Sequence, residues 1–95
     1  MKFRKKPVVI DAIQYDGDNY EEIKNFTDNK VKIEKSIGGS EDGGGYPQLY
    51  VKLTIPTLEG VFHVRKGDWI IKGVRGEFYP CKPDIFQETY EEVRG

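Results

Sequence analysis

The chain has one Cys, one His, one Trp and one Met in 95 residues, and no excess of either charge: 15 Lys and Arg stand against 16 Asp and Glu. A single Cys excludes an intramolecular disulfide and fits a reducing compartment. One His and one Cys, with carboxylates not at ligand spacing, are too few for a zinc site. No metal and no cofactor is expected. Near-neutral charge argues against sequence-independent binding of nucleic acid, which needs a positive excess. The basic start Lys2-Phe3-Arg4-Lys5-Lys6 is a local exception and reads as a solvated terminus. No apolar run approaches a membrane span. Val8-Val9-Ile10 is broken by Asp11, which rules out a signal-peptide core. A cytoplasmic protein without a membrane partner is expected. Repeats and heptads are absent.

What is present suffices for one modest core. Hydrophobic residues make up 37% of the chain and charged ones 33%. Size scaling lets a chain of this length bury roughly 60–65% of its unfolded surface, so residues 1–95 read as a single domain. The aromatics supply large burial per residue.

Residues 7–15 read as the first strand, with Val8, Ile10, Ala12 and Gln14 on the more apolar face and turned to the core. Asp16-Gly17-Asp18-Asn19 is a turn, and Asp18 or Asn19 is placed to cap a helix over about 19–28. Tyr20, Ile23 and Phe26 recur at helical spacing and pack on the sheet. A second strand spans 31–37. The loop 38–45 is glycine-rich and acidic, and reads as a mobile tip without a phosphate-binding pattern. Residues 49–55 alternate, with Leu49, Val51, Leu53 and Ile55 on one face. Pro56–Gly60 turns the chain back into Val61–Val64, and the strands Trp69–Lys72 and Glu77–Tyr79 follow. Pro83 opens a short helix over about 83–90, with Ile85, Phe86 and Thr89 or Tyr90 inside. Tyr90–Val93 closes as an edge strand or extends over the sheet.

The fold class is therefore α+β: a curled, mainly antiparallel sheet of five to six strands, with one longer helix and a short C-terminal one. Val8, Ile10, Ile23, Phe26, Leu53, Ile70 and Phe86 are the expected core.

The chemistry-bearing residues concentrate in 67–86. Trp69, Tyr79, Lys72, Arg75 and Lys82 lie within fourteen positions. An aromatic face beside Arg and Lys suits a base-plus-phosphate ligand, through stacking and charge. Gln14 and Tyr15 add hydrogen-bonding groups from the first strand. Alternation limits the site: Trp69 and Lys72 point to opposite faces of one strand. Cys81 and His63 are the one thiol and one imidazole, and Lys82 beside Cys81 is a cation that would lower its pKa. No Gly-rich oxyanion loop accompanies them, so no catalytic residue is assigned. Asp68, Glu77 and Asp84 are carboxylates of the same region, and Glu59 joins them if the hairpins stack.

The start Met1–Tyr15, the segment Ile55–Gly60 and the run Gly67–Tyr90 resemble the three blocks of a family of small phage and prophage proteins of Gram-positive bacteria. The resemblance covers roughly half the chain, at both ends; residues 18–47 resemble nothing placed. It implies a source and a compartment, that of the infected bacterial host, and carries no reaction, cofactor or catalytic residue.

Two readings of function follow. The first is a non-enzymatic binding protein that sequesters a nucleotide-like signal of host anti-phage defence. The second is an interaction module for a host or phage protein, through an exposed sheet edge or the tyrosine-rich surface. A small hydrolase using Glu59, Glu77 or Asp84 ranks below both. Several strand edges on a small core favour a homodimer or higher oligomer.

Overall fold

The computed structural model describes residues 1–4, 7–38 and 48–93. Lys5, Lys6 and nearly all of the glycine-rich loop fall outside them. Among the described residues the elements are β1 (Asp11–Gln14), α1 (Tyr20–Phe26), β2 (Lys32–Gly38), β3 (Gln48–Thr57), β4 (Gly60–Val64), β5 (Trp69–Lys72), β6 (Phe78–Cys81) and α2 (Pro83–Thr89). The class is α+β and every strand pair is antiparallel. The single curled sheet is corrected: the strands divide into two sheets of three, ordered β1-β5-β6 and β2-β3-β4.

β1 is shorter than expected for a physical reason. Its partner β5 ends at Lys72, which pairs with Asp11, so residues 7–10 have no strand to bond. Its inner face is also the reverse of the expected one. Tyr15 is buried and Ile13 packs on the core, whereas Val8 is 47% exposed and Ile10 only half-buried. The core fills the space between the sheets with Tyr15, Ile23, Val31, Leu53, Ile55, Val64, Ile70 and Phe78.

α1 is brief because Asp28 and Asn29 both take positive φ, 54° and 65°, and turn the chain away. Thr27, fully buried, secures that exit. Its hydroxyl donates to the Ile23 carbonyl at 2.9 Å and accepts the Val31 N–H at 3.2 Å. The expected side-chain cap at the helix start is replaced by an Asp16 turn. The Asp16 carboxylate accepts the N–H of Asp18 and Asn19 (2.8 and 2.9 Å), and those bonds hold its pKa below the usual carboxylate range. Asn19 spends its side chain on the Gln14 carbonyl and the Asp16 N–H instead.

The two faces of the first sheet do different work. Ile70 lies in the core, so alternation turns Trp69 and Ile71 to the other side. There Phe86 stacks on Trp69, and Ile71 is buried. α2 is thus a lid on the outer face. Phe86 and Tyr90 form its inner side, while Ile85 and Thr89 are exposed. Tyr90–Val93 forms no strand.

In the second sheet Leu53 and Ile55 reach the core. Further along the same face Ile37 and Leu49, paired across the ladder, are 74% and 60% exposed. The β2–β3 ladder therefore runs past its cover as an arm. Pro56 costs that ladder no bond, because it lies beyond Lys32, the first β2 residue.

Candidate functional site

The structure distributes the seven residues picked out by the sequence. Trp69 is covered by Phe86, ring centroids 4.1 Å apart and planes 5° from parallel. Lys72 is exposed and points to the opposite face from Trp69. Arg75 sits in the β5–β6 turn, where its N–H donates to Glu77 Oε2 at 2.9 Å. Lys82 turns its ammonium to the buried carboxylate of Asp68, at 3.2 and 3.3 Å. Gln14 donates to the Gly67 carbonyl at 3.1 Å, and the buried Tyr15 donates to the Gly17 carbonyl at 3.1 Å. Burial first, and then the neighbouring Tyr90 hydroxyl, push the Tyr79 pKa up to about 12. These residues form no single pocket. Lys72 and Arg75 remain exposed cations without an ion-pair partner among the described residues.

The thiol departs from expectation in the same way. The Cys81 pKa is raised, first by burial and then by Asp68 and Asp84. Lys82 cannot offset them because its charge is spent on Asp68.

A different site is assembled where the β3–β4 hairpin faces β6. A groove of about 700 Å³ lies there, walled by Pro56, Leu58, Phe62, Phe78, Tyr79 and Pro80. Its rim carries Lys30, Glu59 and Glu77. The expectation that Glu59 approaches Glu77 when the hairpins stack describes this groove, whereas Asp68 and Asp84 do not line it. Lys30 lies over the Phe78 ring, 5.3 Å from its centroid. The Glu77 carboxylate is folded over its own turn, onto Arg75 N–H and against Gly73, where a Cβ would collide with it. The Glu59 side chain has no ion-pair partner among the described residues.

A second groove of about 670 Å³ runs between residues 7–10, the β5–β6 turn and residues 89–93. Val9, Val74 and Val93 expose apolar surface beside it. Of the seven sequence-selected residues, Tyr79 lines both grooves.

The sequence reading missed Lys30, Pro56, Leu58, Phe62 and Pro80. One signal was available: Leu58, Val61 and Phe62 are apolar side chains in and after a tight turn, where solvation favours polar ones. Comparison of the chain with protein-family models, with curated proteins and with solved structures finds no match.

Proposed function

We propose that this chain is a non-enzymatic interaction module that seats an apolar segment of another protein in the groove between the β3–β4 hairpin and β6. One observation carries the reading: a cleft of about 700 Å³ walled by aromatic, proline and leucine side chains, with Leu58 fully exposed and Phe62 41% exposed at its mouth. Contiguous apolar surface of this kind is costly in water and marks binding sites. The rim selects the partner. Lys30 is engaged with Phe78 and Glu77 with its own turn, so the open charge is Glu59. A segment with a bulky apolar residue next to Lys or Arg fits that arrangement. In the phage setting that the sequence resembles, the partner is a host or phage protein.

The test is selection from a random peptide library against the immobilised protein. Enriched peptides are expected to pair an apolar residue with a neighbouring basic one, and to lose binding to Phe62→Asp. No enrichment, or equal binding to Phe62→Asp, overturns the reading.

Capture of a nucleotide-like anion is a second reading, favoured by the exposed Lys72 and Arg75, which have no ion-pair partner among the described residues. It draws less support because Trp69 is stacked under Phe86 rather than open to a base. A thermal-shift screen with nucleotides and cyclic dinucleotides tests it. A ligand at a hundred times its Kd adds about 2.7 kcal/mol of stability.

A further inference from the structure

β4 is an edge strand, and its first four residues, Gly60, Val61, Phe62 and His63, are all exposed. The two-residue turn Leu58-Glu59 joins it to β3, with Thr57 opposite Gly60. In an antiparallel ladder closed this way, Gly60, Phe62 and Val64 bond to β3, and Val61 and His63 turn their N–H and C=O outward. Neither residue makes another backbone hydrogen bond among the described residues. Exposed edges are usually blunted by Lys, Pro or a bulge. β4 has none of these; its sequence is Gly-Val-Phe-His-Val.

We infer that β4 pairs antiparallel with β4 of a second copy, about a two-fold axis at Phe62. This register lets Val61 and the partner's His63 exchange both backbone hydrogen bonds, and symmetry repeats the exchange. It sets Phe62 against the partner's Phe62 at a non-hydrogen-bonded position, where side chains approach most closely. It also brings Glu59 opposite the partner's Arg65, and Arg65 opposite the partner's Glu59, so that in the dimer the Glu59 carboxylate is shared between the partner's Arg65 and a basic residue of the bound segment. Glu59 and Arg65 are exposed and lack an ion-pair partner among the described residues. The flanking charges are thus self-complementary about the same residue that centres the backbone pairing. A two-fold interface demands that property of a single surface. The β2-β3-β4 sheets of the two copies become one sheet of six. Because Phe62 also walls the groove, the two grooves meet across the axis and each is completed by the partner copy; this last step rests on the groove reading, and the pairing does not.

Sedimentation equilibrium of the full chain tests the inference. The expected mass is twice the 10.9 kDa of one chain. Val61→Pro removes an outward N–H that β3 does not use, and is expected to give a monomer. Glu59→Lys and Arg65→Glu each set like charges face to face and shift the protein toward monomer. Mixed in equal amounts, those two variants face each other with opposite charges throughout and dimerise again. Circular dichroism checks folding, and the charge variants carry the test if Val61→Pro fails to fold. A wild type that is monomeric at millimolar concentration, or a mixture no more dimeric than its components, overturns the pairing. A monomeric wild type that still binds selected peptides overturns the dimer alone; a dimer that selects none overturns the groove alone.

Discussion

Trp69 on β5 and Phe86 on α2 lie face to face, ring centroids 4.1 Å apart and planes 5° from parallel. This contact fastens α2 to the outer face of the first sheet and closes the surface where a ligand would stack on Trp69. Phe86→Ala is expected to cost about 2 kcal/mol, less than a fully buried Phe because Phe86 is only half-buried. Urea denaturation measures the loss. Trp69, the one tryptophan, reports it independently by a red shift in emission.

Asp68 is 3% exposed and accepts from Lys82 and from the Arg65 N–H. Lys82→Met leaves the carboxylate one backbone donor and is expected to cost about 1–2 kcal/mol, limited because the Lys82 side chain is 55% exposed. Asp68→Ala removes both interactions and costs more, about 2–3 kcal/mol. Equal losses in the two variants, measured by denaturation, would contradict the assignment.

Tyr79 should ionise late. Its folded pKa is raised to about 12 from an ordinary 10.0, so the folded state holds the proton more tightly than the unfolded one. The stabilisation is fully present below pH 10 and declines as pH rises through 12. Absorbance at the tyrosinate band is expected to show a late step that Tyr79→Phe abolishes.

Thr27 was not legible as a structural residue, yet its hydroxyl closes the exit of α1. Thr27→Val keeps the shape and strands the buried Val31 N–H, at a cost of about 1–3 kcal/mol. Thr27→Ser retains the hydroxyl and should cost less than half as much. Thermal denaturation of the pair separates hydrogen bonding from packing.

Local structure was readable where one residue type dictates it. β5 has the bounds read from its sequence, and Pro83 opens α2 because a missing N–H is harmless at a helix start. Pairing was not readable. β1 bonds to β5 across more than fifty residues, and alternation states faces but never partners. The first strand carries apolar residues on both faces, and the choice of the more apolar face, that of Val8 and Gln14, as inward was wrong: the burial of Tyr15 puts the other face inside. In the third block the limit was legible: the strand's two-residue period sets Trp69 and Lys72 on opposite faces, but the cover of Phe86 over Trp69 was not. The groove unites residues from 30 to 80, and only the stacking of the β3–β4 hairpin beside β6 brings them together.

The central claim is that partners bind in this groove rather than on Trp69, Lys72 and Arg75. Amide chemical-shift mapping of the labelled protein, titrated with a library-selected peptide, tests it most directly. The predicted result is movement of the amides of Leu58, Glu59, Phe62, Phe78 and Tyr79, with the Trp69 indole and the Lys72 and Arg75 amides unmoved. Movement of the Trp69 indole, Lys72 and Arg75 while Leu58 and Phe62 stay still would contradict it.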